Sequence, residues 1–167
     1  MTPDKEKIYE NATRALVFTI EKMKMEKMRR LRAKNLVRYF RDSFKLSNVK
    51  YDAFWTDLGE EMERLSYDSD GFCRAASVNF ALMMGGEPEW KLMYIDNLWA
   101  HGPHHYLLHV PSKTVLDLTY DQYTHAGISI PYQLGKPIKL ELRKNEIELR
   151  FAKALDLTPI LASNQKD

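Results

Sequence analysis

The positions Ile8, Ala12, Ala15, Leu16, Thr19, Ile20, Met23 and Lys27 recur at steps of three and four residues, the period of an amphipathic helix. Thr2 and Pro3 ahead of them fit an N-cap and a first helical position. The pattern continues, with a break allowed, through Met28, Leu31, Leu36, Val37 and Phe40. No proline lies between Pro3 and Pro88, so most of the chain up to Asp70 is expected to be helical.

Beyond Asp70 the character changes. Phe72, Ala75, Ala76, Phe80, Ala81 and Met84 predict a mostly apolar helix, stopped by Gly85-Gly86. Trp90 to Ile95, His105 to Val110 and Thr114 to Leu118 predict three strands, the last two joined by a tight turn at Pro111-Ser112-Lys113. Pro137 to Leu142 predicts a fourth. Between Asn145 and Leu155 two patterns compete. Alternation of Ile147, Leu149 and Phe151 fits a hairpin partner for Ile138, Leu140 and Leu142, whereas Ile147, Phe151, Ala154 and Leu155 fit a closing helix capped by Asn145. The hairpin is preferred. Ser163 to Asp167 read as a frayed end. Helices followed by an antiparallel meander make an α+β fold. Residues 1–65 form a helical N-terminal region and 66–160 a core, together expected to be one compact domain.

Charge is uneven over the first half. Residues 21–41 carry Lys22, Lys24, Lys27, Arg29, Arg30, Arg32, Lys34, Arg38 and Arg41 against Glu21 and Glu26. Residues 51–70 carry Asp52, Asp57, Glu60, Glu61, Glu63, Asp68 and Asp70 against Arg64 alone. The simpler explanation is two solvated helix faces that attract one another across the fold. The sharper one is a basic helix for an anionic partner, nucleic acid or membrane surface. No nucleic-acid motif accompanies it.

A net charge of +2 over 167 residues implies no strong partner by itself. The single cysteine cannot form an intramolecular disulfide and suits a reducing compartment. The polar opening MTPDKEKIYE does not resemble a signal peptide, and no apolar run approaches the ~20 residues of a membrane span. A cytoplasmic location is expected, with export as an effector by a route that needs no cleaved signal left open. Oligomeric state is not legible.

The candidate chemistry lies between Cys73 and His125, which hold the only cysteine and all five histidines. A free thiol is only ~3% thiolate at neutral pH. Asp70 as N-cap would place Cys73 in the first turn of its helix, where exposed N–H groups and the helix dipole favour an anion. The N–H of Cys73 would then supply half of an oxyanion hole. The base must come from another element, and His105 on the second strand is the candidate. Asp117, across the turn, is placed to accept from that imidazole and fix its tautomer. Thr119 and Gln122 follow, where a hydroxyl and an amide can hold the acid or complete the oxyanion hole. His104 points to the opposite strand face and remains the alternative base, His109 packs or meets substrate, and Arg74 reads as a surface residue. His101, His104, His105 and His109 with Cys73 include enough zinc ligands, but Gly102-Pro103 and the spacings fit no usual site, so neither metal nor cofactor is expected.

His105-Tyr106-Leu107-Leu108-His109-Val110, followed by Val115-Leu116-Asp117-Leu118-Thr119-Tyr120-Asp121-Gln122-Tyr123, resembles the H-Y-[VL]…D-x-T-x-x-Q-[FY] pattern of papain-like and transglutaminase-like bacterial domains, papain-fold toxin and effector domains among them. Gly71-Phe72-Cys73-Arg74-Ala75-Ala76-Ser77 fits their nucleophile helix. The likeness covers residues 66–125. It lacks the tryptophan that often follows the histidine by two residues in transglutaminases, and an obvious upstream glutamine of the papain type. The order Cys, His, Asp is shared by transglutaminases, arylamine acetyltransferases, NlpC-type peptidases and protein-glutamine deamidases. The resemblance therefore implies a papain-like core and acyl chemistry at a thiol, hydrolysis, deamidation or transfer, on a protein, peptide or small amide. The competing expectation is a non-enzymatic module of the same fold that binds a partner through residues 21–41.

Overall fold

The computed structural model describes residues 3–54, 67–98 and 102–165. The expected Thr2 cap, much of the acidic run 51–70 and His101 lie outside them. The chain is α+β. Helix α1 (Pro3–Glu21) and helix α2 (Lys27–Ser43) pack on each other, and the short α3 (Ser47–Ala53) follows. After the second described stretch begins, α4 (Cys73–Met83) leads into strands β1 (Trp90–Ile95), β2 (His104–His109) and β3 (Thr114–Leu116). One turn of helix, α5 (Asp121–Thr124), a 3₁₀ turn at Tyr132–Leu134 and β4 (Lys136–Ile138) precede the closing helices α6 (Ile147–Ala154) and α7 (Thr158–Gln165).

The sheet is antiparallel with order β3-β2-β1-β4. Only β1 to β3 form the expected meander, because β4 returns to the far side of β1. Register sets what each strand presents. Leu107 opposes Leu116 and His109 opposes Thr114, so the connection is the four residues Val110–Lys113 rather than the three read from the sequence. Lys113 takes a φ of 51° to close it.

Helix α4 packs against β1, β2 and α6. Its first nine residues are all buried, the polar Arg74, Ser77 and Asn79 each hydrogen-bonded within the fold. Phe44 of the chain after α2, Phe72 ahead of α4 and Phe151 of α6 share an aromatic cluster, with Phe44 and Phe72 stacked at 4.6 Å. One continuous core links α1 and α2 to α4, the sheet and α6. The segment Asn145–Leu155 is a helix and not the preferred hairpin strand. Burial at Glu148, Phe151 and Ala152 follows the helical spacing, and Asn145, with φ of 61°, stands outside the helix while Glu146 takes the cap position. Helix α7 runs on to Gln165, past the start of the expected frayed end. Among the described residues no helix is long and apolar enough to cross a membrane.

Candidate active site

Cys73 is the first residue of α4. Gly71 just before it has φ of 81°, a left-handed conformation that a side chain would strain. Phe72 takes the N-cap position with no side-chain cap, so Asp70 does not fill the role read for it from the sequence. Its carboxyl is instead pushed up to about 6, mainly by burial, against the pull of His125. The N–H at the first helical position has no intrahelical acceptor, and the helix start favours an anion there. Cys73 is buried, with 9% of the residue's surface exposed.

Two imidazoles meet that sulfur. His105 Nδ1 lies 3.8 Å from Cys73 Sγ. His104, fully buried, lies near enough to act on the thiol by charge, and its Nε2 lies 2.6 Å from Asp117 Oδ2. With Nε2 committed to the carboxylate, the other ring nitrogen, Nδ1, is buried without a hydrogen-bond partner. The expected pairing of Asp117 with His105 is therefore corrected: the acid sits on His104. The register is the cause. With Leu107 opposite Leu116, the next residue, Asp117, falls on the face of Tyr106 and His104, while His105 shares the face of Leu107. Both histidines lie near the sulfur because they are the first two residues of β2, at the strand end where α4 begins.

Burial opposes ionising the Cys73 thiol, but the two imidazoles beside it outweigh that and bring it down to about 6. Burial likewise opposes charging His104. The Asp117 carboxylate, by charge and hydrogen bond, and the neighbouring sulfur outweigh that and raise it to about 10. A thiol that ionises below its histidine rests as a thiolate–imidazolium pair.

The acid is well held. Asp117 Oδ1 accepts from the Thr119 N–H at 3.3 Å and Oδ2 accepts from the Tyr132 hydroxyl at 2.8 Å. The Tyr106 hydroxyl in turn donates to the Tyr132 carbonyl, and a Cβ at Gly135 would stand 1.8 Å from that hydroxyl, so only glycine leaves it room. Tyr123 covers the His104 ring edge-on at 4.9 Å. Gln122 is not aimed at the sulfur. Its amide donates to Thr119 Oγ1 at 2.8 Å and its carbonyl accepts from the Gly71 N–H at 3.2 Å, tying the acid loop to the nucleophile loop. Thr119 holds the acid through its backbone while its hydroxyl serves Gln122.

Three further residues differ from their sequence reading or were missed by it. Arg74 is buried, not on the surface: its Nη1 lies 3.3 Å from His105 Nε2 and its Nε 3.3 Å from the fully buried Glu148. Tyr132 carried no local signal, being placed by a long connection. His109 packs on Trp90 and bridges Ser112 and Glu89 at 2.9 Å each, away from the thiol. Among the described residues no three His, Cys, Asp or Glu side chains converge as a metal site.

Behind the site, Arg41 of α2 is fully buried and grips Asp121 with both terminal nitrogens, at 2.7 and 2.8 Å. It also donates to the carbonyls of Leu118 and Tyr9. Comparison with known protein families, with curated proteins and with solved structures finds no match for this chain.

Proposed function

We propose that this protein is a thiol enzyme of papain-like or transglutaminase-like type that performs acyl chemistry on a carboxamide or ester, with Cys73 as nucleophile, His104 as general acid–base and Asp117 as the group that orients His104. The observation that carries this reading is one sulfur at a helix start beside a histidine whose far nitrogen lies 2.6 Å from a buried carboxylate. The thiolate attacks the carbonyl carbon, and the C=O electron pair moves to oxygen. His104 gives its proton to the leaving nitrogen or oxygen as that bond breaks, leaving a thioester on Cys73. His104 then takes a proton from water or an amine, which displaces the thiol and yields acid or transferred amide. Substrates of this class are protein glutamines, peptides and small amides.

Incubation with p-nitrophenyl acetate, followed by intact-mass measurement, is expected to show one acetyl group on Cys73. Cys73→Ser and His104→Ala proteins should acquire none at the same time point. A native protein that stays unmodified while its urea-unfolded form reacts would contradict the reading.

A second reading rests on a separate feature. Met28, Leu31, Arg32, Asn35 and Tyr39 of α2, with Met83, border a surface groove of about 460 Å³, and Met28, Leu31 and Tyr39 are exposed. Lys27 and Arg38 lie on the same solvent side. A non-enzymatic module would bind an anionic partner here. Neutralising Lys27, Arg32 and Arg38 together would abolish that binding and leave Cys73 chemistry unchanged.

A further inference from the structure

The two histidines are adjacent in sequence, yet their Nε2 atoms face opposite chemistries. His104 presents Nε2 to a carboxylate, which only accepts. His105 presents Nε2 to the guanidinium of Arg74 at 3.3 Å, which only donates. A nitrogen that receives a hydrogen bond from a guanidinium carries no proton. His105 is therefore the neutral ring with its proton on Nδ1, the atom that faces Cys73 Sγ at 3.8 Å. Arg74 cannot swing away, since its Nε is 3.3 Å from Glu148, and Glu148 is anchored in turn by Arg143 Nε at 2.7 Å. Tyr94, opposite His105 on β1, packs its ring 5.3 Å away and flanks the imidazole.

We propose that His105 is a fixed hydrogen-bond donor to the anion at this site, first to the Cys73 thiolate and then to the carbonyl oxygen as it becomes an oxyanion, and that Arg74 and Glu148 are the positioning residues that lock its tautomer. The inference rests on the reading of Cys73 and His104 given above. Attack joins sulfur to carbon and shifts the carbonyl pair onto oxygen, one C–O bond length from the new C–S centre. That oxygen sits between the Nδ1–H of His105 and the N–H of Cys73, two donors from different elements. No proton leaves His105 during the cycle. Proton transfer belongs to His104, whose Asp117 partner stabilises the charged ring, whereas a charged His105 would place its Nε2 proton against Arg74. The pair of histidines thus divides the work that one base and one oxyanion-hole amide do elsewhere.

Two probes separate these roles. Iodoacetamide alkylates a thiolate by displacement and forms no oxyanion, whereas p-nitrophenyl acetate acylates through one. In His105→Ala the acylation rate should fall about 10²-fold relative to the alkylation rate, the scale of losing one oxyanion donor. In His105→Asn, where an amide N–H can occupy the Nδ1 position, most of that loss should be recovered. His104→Asn should not be rescued, because an amide cannot carry the proton. Arg74→Met should lose acylation more than alkylation, as His105→Ala does. Equal falls in both rates for His105→Ala, or a His105→Asn protein as impaired as His105→Ala, would overturn the donor role. Independently of any variant's folding, ¹⁵N chemical shifts of the wild-type ring near neutral pH should show His105 with an unprotonated Nε2 and a protonated Nδ1. A protonated Nε2 would overturn the proposal. Absence of any acetyl-Cys73 in the wild type would instead sink the reading it rests on.

Discussion

Single side chains decide which histidine does what. Asp117, the partner that fixes a base, lies on His104, so a rate that depends on thiolate and charged His104 together should rise through about pH 6 and fall through about pH 10. The acylation rate across that range checks it. Asp70 offers a test of stability rather than rate. Burial raises its carboxyl from the ordinary value to about 6, so its neutral form is favoured by folding. That contribution is complete below about pH 4 and is lost as the pH rises through about 6. Asp70→Asn should accordingly raise the thermal midpoint above that of the wild type at neutral pH, with the gap closing in acid. Equal midpoints at both pH values would contradict this. Arg74 shows how a residue hides from sequence reading. A lone arginine in an apolar helix suggests a solvent-facing position, and only the folded chain brings Glu148 and His105 to it.

At the scale of elements, the strands from Trp90 to Ile95 and around His105 and Thr114, and the helix opened by Cys73, were legible because apolar runs are bounded by Gly85-Gly86 and by the turn at Pro111-Ser112-Lys113. The failure was one residue in a turn. A three-residue connection would set Val110 opposite Thr114 and put Asp117 on the face of His105. The four-residue connection Val110–Lys113 puts it on the face of His104. Nothing in Pro111-Ser112-Lys113 distinguishes these, since the closing φ of 51° falls on a lysine rather than a glycine or asparagine. The stretch Asn145–Leu155 was ambiguous for a different reason: Ile147 and Phe151 fit both periods. The buried Glu148, at the helical spacing from Phe151 and Ala152, resolves it. Arg41 and Asp121 make an element-scale prediction. They fasten α2 to α5, which carries Gln122 beside the acid loop, and are 0% and 1% exposed. Arg41→Met strands Asp121 and should cost about 3–5 kcal/mol, measured by urea unfolding.

For the whole molecule, the basic segment 21–41 is divided: Lys22, Lys24, Lys27, Arg32 and Arg38 are exposed, whereas four cations are tied to the fold. Arg29 pairs with Glu89 and the Met84 carbonyl, Arg30 with the carbonyls of Met23 and Met25, Lys34 with Glu21, and Arg41 with Asp121. Sequence charge alone suggested attraction to the acidic run 51–70, most of whose acids lie outside the described residues; among the described residues Lys34, Arg29 and Arg41 meet acids of α1, the approach to β1, and α5. Arg29→Ala should lower the thermal midpoint by a few degrees, reflecting a partly exposed pair worth about 1 kcal/mol. Arg41 thereby ties α2 to the stretch from Leu118 to Asp121 that follows Asp117. The most direct test of the whole account is the pH dependence of Cys73 alkylation by iodoacetamide in the wild-type and His104→Ala proteins. The wild-type rate is expected to reach half its plateau near pH 6, and removal of His104 should move that midpoint up toward the ordinary thiol value of about 8.5. A wild-type midpoint already at the ordinary value, or one that His104→Ala leaves in place, would contradict the ion pair on which the proposed chemistry stands.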